Sequence, residues 1–324
     1  VAFSGLLLIS GLSCWAPHSF AGDRCAHFTF YWAVLALLLV PWALWKKQWA
    51  VLLPLLCMGG FHGWRIAKLW RSDPVPVSLS GTPMEVSLVC ANLYVGNLRR
   101  PEGLATLMEL DPDVFILMEV DQRWREFLTP LLMKYPHQLG NDGEVWLLSR
   151  FPMENQKQVA LTREHASNWP GQLPWPADRP WAGNTLLQVN ILAGGKKLRV
   201  VSIHPPVPSN SHRLAQQLYQ VKAYGAALND ATAPEARVLM GDFNTTMFSS
   251  VMDGIKQSTG LRDAAAGYGY RVTWGPRLPR EPLLPWLGLP LDHTLVSPQV
   301  KVTAADTGET PGSDHRWQRV RLQF

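Results

Sequence analysis

Six apolar runs in the C-terminal part of this chain end on side chains of the kind that hold metal ions and phosphate. "SLVCAN" ends on Asn92, "VFILME" on Glu119 and "VVSIH" on His204. "VLMGDFN" ends on Asp242 and Asn244, "LPLDH" brings Asp292 in behind a proline, and "GSDH" brings Asp314 and His315 just ahead of the last apolar run. Carboxylates and amides without cysteine ligands suit a hard divalent cation such as Mg²⁺ or Mn²⁺. Two histidines add proton transfer and charge stabilisation near neutral pH. The combination suits metal-assisted hydrolysis of a phosphate ester, in which a metal neutralises phosphoryl oxygens while a carboxylate activates water. Each residue alone has a plainer reading, since an Asp or Asn after a strand is commonly a turn former or a helix cap. Convergence at six strand ends favours the chemical one.

The elements that must position these groups follow from periodicity and punctuation. Strands are expected over residues 84–90, 113–119, 144–149, 184–192 and 197–204, and in "RVLMGDF", "RVTW", "LDHTLVS", "VKVTAA" and "RWQRVRLQF". Helices are expected over 100–111, with Pro101 near its first turn, over 121–132, capped by Asp121, and over 211–228, capped by Ser211. Strand alternation would put Asp242 and Asn244 on one face and Phe243 on the other, in the core. Gly241 would permit close backbone approach. Many strands with fewer helices fit an α/β sandwich, two sheets inside and helices outside. Two Trp/Pro-rich loops, 168–181 and 273–290, stand apart from this pattern.

The N-terminal part is of another kind. Residues 1–22, 25–45 and 48–64 contain no Asp, Glu, Lys or Arg. The run over 28–45 meets the length rule for a membrane-spanning helix, 49–64 is slightly short, and 1–16 reads as a span with its beginning cut away. The chain opens on Val, so the start of the gene product is expected upstream. The division is therefore a transmembrane segment over 1–71, a Pro/Ser/Gly linker over 72–83 and a catalytic domain over 84–324. Residues 1–71 hold six Lys/Arg and one Asp, leaving 24 basic and 24 acidic residues in the remainder. The basic balance thus belongs to the membrane segment, and the soluble part lacks the overall excess expected of a nucleic-acid binder. None of Cys14, Cys25, Cys57 and Cys90 forms a C-x-x-C pair, which argues against a structural zinc site. Cys14 and Cys25 could pair across the first loop in an oxidising compartment.

"LMEV" (117–120), "LSRFP" (148–152), "GDFN" (241–244), "LDHTLVS" (291–297) and "GSDH" (312–315), in that order, resemble the endonuclease/exonuclease/phosphatase superfamily over residues 84–324. The resemblance implies a four-layer α/β/β/α sandwich, here with an N-terminal helical transmembrane segment. It implies that Asn92 and Glu119 hold the metal, with Asp314 completing the site or assisting the histidine. It implies that Asp242 orients or deprotonates the attacking water, that Asn244 binds phosphate or water, and that His204 contacts the scissile phosphate. His315, held by Asp292, would stabilise the transition state or transfer a proton. Tyr94 stands where the DNA-repair branch carries an acidic residue, which weakens assignment to that branch.

The spans ahead of this domain resemble a bacterial membrane-anchored subgroup, which implies a multi-pass protein of the inner membrane with its catalytic domain on the external side. The Lys/Arg count itself is divided, with Lys46 and Lys47 between the second and third spans and Arg65, Lys68 and Arg71 after the third. Three functions remain open: a phosphoesterase on a lipid or small-molecule phosphate ester, a nuclease with the same chemistry, and an inactive binding protein on the same fold. The expected partners are the lipid bilayer and a phosphate-ester substrate, with nucleic acid less favoured.

Overall fold

The computed structural model describes residues 2–71, 82–140, 145–161, 184–276 and 287–324. The expected linker, apart from its last two residues, and the whole first Trp/Pro-rich loop lie outside the described residues, as does the middle of the second loop.

Among the described residues, two six-stranded sheets form the C-terminal part. The first runs in the order β11 (Lys301–Glu309), β12 (Arg316–Gln323), β1 (Glu85–Asn92), β2 (Val114–Met118), β4 (Val145–Ser149), β3 (His137–Gly140). The second runs β5 (Met153–Leu161), β6 (Asn184–Ala193), β7 (Lys196–Ile203), β8 (Ala236–Asp242), β10 (Asp292–Val296), β9 (Arg262–Asp263). Their inner faces meet through Leu88, Ile116 and Met118 of one and Val189, Val200 and Met240 of the other. Behind the first sheet, α5 (Arg100–Leu110) and α6 (Gln122–Leu132) pack Leu107, Trp124 and Leu128 onto Phe115 and Leu117. Behind the second, α7 (Ser211–Leu228) and α8 (Ser250–Thr259) bury Val221 and Ile255 against Val201 and Leu239. This is the expected four-layer sandwich, each layer hiding the apolar face of the next.

The register explains why the chemistry gathers at one edge. β1 and β2 are parallel and end together, as do β7 and β8, and the hydrogen bond from Asn92 at the end of β1 to Asp242 at the end of β8 puts both pairs of ends on one side. β10 and β12 run the other way, so they begin there. Asp292, the first residue of β10, lies directly across from Asp242, the last of β8. Gly241 sits where a Cβ would overlap the Ile203 carbonyl oxygen of β7, which is the close approach expected of it.

Asp121 caps α6, its side chain accepting from Trp124 N at 2.9 Å, and Pro101 stands in the first turn of α5. Two expectations change. The cap of α7 is Asn210, whose Oδ1 accepts from Arg213 N at 3.0 Å, and Ser211 is the first helical residue. "RVTW" forms no strand; Trp274 instead makes isolated bridges to Leu289 and His315.

The N-terminal segment folds into α1 (Ala2–Leu12), α2 (Phe20–His27), α3 (Thr29–Trp45) and α4 (Trp49–Ala67). With the 3₁₀ turn that follows it, α4 (Trp49–Trp70) is long and apolar enough to cross a membrane; α2 and α3 pass the same test only as a pair bent by 65°, and the apolar helix over Leu7–Ala16 is shorter. The three expected spans thus reduce to one straight helix of sufficient length and one bent pair. α3 and α4 pack on Ala36, Ala43, Leu55 and Met58, while Leu37, Leu38 and Leu53 point outward. Cys14 and Cys25 are not bonded to each other.

Candidate active site

The polar residues at the inner strand ends gather at one cavity of about 970 Å³, some lining it and others standing behind, and the backbone does part of the aiming. Tyr94, Glu119 and Asn244 all line this cavity and all take the left-handed conformation, with φ of 60°, 56° and 49°. A non-glycine residue held there costs about 1–3 kcal/mol and persists where its surroundings enforce it. Here the strain turns the chain sharply just past β1, β2 and β8. Asp242 and Asn244 meet for this reason and not by strand alternation. β8 stops at Asp242, Asn244 N donates to Asp242 Oδ1 at 2.8 Å, and Asn244 Nδ2 donates to the Pro205 carbonyl at 2.9 Å. Phe243 is fully buried in the core behind the second sheet, as its spacing predicted.

A chain of hydrogen bonds joins the groups. Asn92, fully buried, donates through Nδ2 to Glu119 Oε1 at 2.9 Å and to Asp242 Oδ2 at 3.2 Å. Its Oδ1 accepts from Tyr94 N at 3.0 Å, which fixes the orientation of the amide. Val95 N donates to the other Glu119 oxygen at 3.0 Å. His204 and His315 each place Nε2 3.5 Å from Asp242 Oδ2. His315 Nδ1 lies 2.9 Å from Asp292 Oδ2. Trp274 Nε1 donates to Asp314 Oδ2 at 3.1 Å. Glu119, His204, Asp242, Asn244, Asp314 and His315 line the cavity, and Asn92 and Asp292 stand behind them.

Burial sets the electrostatics of this cluster, and the histidines redirect it. Burial alone would raise the Asp242 carboxyl, but His315 and the His204 hydrogen bond outweigh it and hold the group at about 2. Burial also raises Asp292, with Asp242 adding to the rise and His315 opposing it. Desolvation disfavours a charged His315, yet Asp292 and Asp242 on either side outweigh it and push its pKa up to about 10. His204 is raised for the same reason, burial being outweighed by Asp242 and Glu119. With Asp292 at Nδ1 and Asp242 near Nε2, the surroundings of His315 favour its protonated form.

Asp242, Asp292 and His315 bring one ligand atom each within 4.8 Å of one another, which is compact enough for an ion. His315 itself fills the space between the carboxylates, hydrogen-bonded to Asp292 and 3.5 Å from Asp242. Beside it Glu119 and Asp314 turn carboxylates into the cavity, while Asn92 presents Nδ2 to Glu119 and its Oδ1 faces Tyr94 N. A carboxylate oxygen accepts more than one partner, so Glu119 keeps free lone pairs beside its two hydrogen bonds. Oxygen donors without sulfur fit Mg²⁺ or Mn²⁺.

The sequence profile described as the Endonuclease/Exonuclease/phosphatase family matches residues 89–315, from within β1 to His315. The chain belongs to this family. Solved structures agree on the fold. A mannosyl-6-phosphatase from Bacteroides thetaiotaomicron is 16% identical, with 74% of this chain and 100% of that one covered at a TM-score of 0.55. Sphingomyelinase C from Streptomyces griseocarneus is 16% identical, covering 75% and 99% at 0.52. D. rerio TDP2 with a single-strand DNA product is also 16% identical, covering 74% and 98% at 0.53. No curated protein matches the chain.

Several site residues of this family member escape a reading of the strand ends. Ser313 Oγ donates to the Asn92 carbonyl at 2.7 Å and accepts from His315 N at 3.0 Å, tying β1 to the histidine. Thr273 Oγ1 accepts from the Asp292 backbone at 2.9 Å. Met118 Sδ accepts from Asp242 N at 3.2 Å. Ser313 and Trp274 lie inside stretches the sequence had singled out. Arg24, His27, Phe28 and Tyr31 also line the cavity, although they belong to the N-terminal helices. The signal for them was the polar island of Asp23, Arg24 and His27 between two apolar runs.

Proposed function

We propose that this protein is a membrane-anchored, divalent-metal-dependent phosphoesterase that hydrolyses a phosphate ester by attack of water. The observation that carries the reading is the continuous polar cluster along one cavity, hydrogen-bonded from Glu119 through Asn92 to Asp242 and from His315 to Asp292, with His315 Nε2 3.5 Å from Asp242 between them. Glu119, Asn92 and Asp314 would hold Mg²⁺ or Mn²⁺, which when bound neutralises phosphoryl oxygens. A carboxylate held as low as Asp242 is a weak general base, so its first task is to orient the attacking water. Asn244 fixes the phosphate or the water beside it. His204 and His315, both favoured in the protonated form, offer Nε2–H to phosphoryl oxygens as negative charge builds on them. The water oxygen bonds to phosphorus and gives up a proton to Asp242, the ester P–O bond breaks, and the leaving oxygen takes up a proton from His315. Asp292 holds the His315 ring in place.

The outward apolar faces of α3 and α4 support anchoring in a bilayer. The Lys46–Lys47 turn lies at the end of the helix pair away from the catalytic part, while Arg65 at the near end donates to the Phe248 carbonyl. Assigning that turn to the cytoplasm puts the catalytic domain outside. Proteolysis of intact spheroplasts tests the orientation; a protected domain overturns it. The activity is tested with the purified full chain and Mg²⁺ or Mn²⁺ on bis(p-nitrophenyl) phosphate, phospholipid and DNA. Hydrolysis that chelation and His315→Ala abolish is expected. A preference for DNA would make the protein a nuclease, and no turnover of any of the three would leave only a binding role.

A further inference from the structure

A membrane anchor has no need of buried ionisable groups, yet the N-terminal segment contains them and they grip the catalytic domain beside the site. Asp23, 1% exposed, accepts from Ser250 N at 2.8 Å and from the Ser249 hydroxyl at 2.8 Å, so it caps α8 from outside the domain. His27 Nδ1 accepts from Thr246 N at 3.2 Å, two residues after Asn244. Tyr31 donates from its hydroxyl to the Gly288 carbonyl at 2.8 Å, and Phe30 stacks on Tyr270 with centroids 4.5 Å apart. Burying such groups is tolerable only because they are hydrogen-bonded, so the contact between segment and domain is specific. It puts Arg24, His27, Phe28 and Tyr31 in the wall of the active-site cavity.

The remaining walls tell what would fill it. Beyond the polar edge the lining is apolar, with Val207, Leu287, Leu289 and Leu291 on the domain side. Phe28 and Leu287 are 40% and 45% exposed. A bare phosphate ester would leave these surfaces wet. A nucleic-acid backbone calls for several cations along its track, and among the described lining residues Arg24 is the one Lys or Arg. Phe28 stands immediately before α3, a helix that also exposes Leu37 and Leu38 further along.

We propose that the N-terminal helices form a working wall of the substrate site, and that the substrate is a bilayer-derived phosphate ester with an apolar chain. Its phosphate meets His204 and His315, its chain lies along Phe28, Tyr31 and Leu287, and Arg24 receives a further anionic group. This inference rests on the phosphoesterase reading for the identity of the phosphate site.

The test compares two diesters with one leaving group, methyl p-nitrophenyl phosphate and octyl p-nitrophenyl phosphate, with the full chain in detergent and Mg²⁺. Each buried methylene strengthens binding by about fourfold, so partial burial of the octyl chain is expected to raise kcat/KM by about a hundredfold. Phe28→Ser and Leu287→Ser should each cut the octyl-to-methyl ratio about tenfold. That ratio is taken within each variant, so a loss of folded protein cancels. Equal turnover of both diesters, or better turnover of a single-stranded oligonucleotide than of the octyl diester, overturns the inference and leaves the phosphoesterase reading standing. If neither diester is hydrolysed, binding of octylphosphonate against methylphosphonate, read by tryptophan fluorescence, separates the two. A chain-length preference that Phe28→Ser reduces supports the wall while the catalytic reading falls; equal binding overturns the wall as well.

Discussion

β7 and β8 carry two buried ionic clusters towards opposite ends, and they are built on different terms. Away from the site, Arg199, fully buried, donates to Asp230 at 2.7 Å, to Asn190 at 2.8 Å, to the Ala227 carbonyl at 3.0 Å and to the Thr232 hydroxyl at 2.8 Å. Burial would raise Asp230, but its hydrogen bonds from Thr232 and Arg199 outweigh that and hold its pKa far below the usual carboxylate range. Each charge there has its complement, and the groups agree. At the cavity, two buried carboxylates compete for His315, and their pKa values are driven apart, Asp242 down and Asp292 up. Groups pushed in opposite directions by shared neighbours mark a site kept for chemistry, whereas mutual satisfaction marks a structural fastening.

The sharpest break in that comparison is His315→Ala. Loss of a positioned proton donor should lower kcat/KM by about a thousandfold or more, read by steady-state kinetics, with the melting temperature little changed. Asp230→Ala should do the reverse. Leaving Arg199 buried without its partner costs about 3–5 kcal/mol, visible in urea unfolding, while turnover per folded molecule holds. Asn92→Ala removes the bridge between Glu119 and Asp242 and should weaken Mg²⁺ or Mn²⁺ binding by about 10–100-fold in a calorimetric titration. A smaller contrast lies in the pH dependence of the metal-free protein's melting temperature. The folded pKa of Asp230 is depressed, so its contribution is present above the ordinary value of about 3.9 and is lost as pH falls through the lower folded value. His315 is raised to about 10, so its contribution is complete below the ordinary value of about 6.5 and is lost as pH climbs towards 10. Asp230→Asn should flatten the acid limb and His315→Gln the alkaline one. The smallest effect separates two adjacent residues: Asn210→Ala should cost α7 about 1 kcal/mol and Ser211→Ala nearly nothing.

Legibility in the sequence followed burial. The inner strands β1, β2, β7 and β8 are apolar on both faces and announced themselves. β5 did not, because "MENQKQVAL" lies at a sheet edge, is largely exposed, and is broken by a bulge between Glu154 and Lys157. Edge strands face one neighbour and solvent, so no apolar pattern is required of them. α8 was passed over although Ser249 is a capping type and Val251, Met252 and Ile255 share a buried face; Gly254 in its middle weakens the helical signal. Of the three expected spans, 28–45 forms α3, 17 residues long by itself, 49–64 extends to Trp70 and becomes long enough, and 1–16 breaks into shorter helices.

By itself the sequence determined which residue types stand at the strand ends, since an apolar run must stop where the chain meets water and the residue there is free to be functional. It determined the sandwich too, because strand and helix periods dictate which faces must be hidden. The tertiary structure alone decided how those residues meet. Register brings Asp292 opposite Asp242, left-handed turns at Tyr94, Glu119 and Asn244 aim their side chains inward, and His315 comes to lie between two carboxylates. It also decided that Asp23, more than two hundred residues away in sequence, caps α8 and brings Arg24 and Phe28 to the cavity. Local pattern carries no information about such pairings, because a hydrogen bond between distant segments depends on where packing places its two ends.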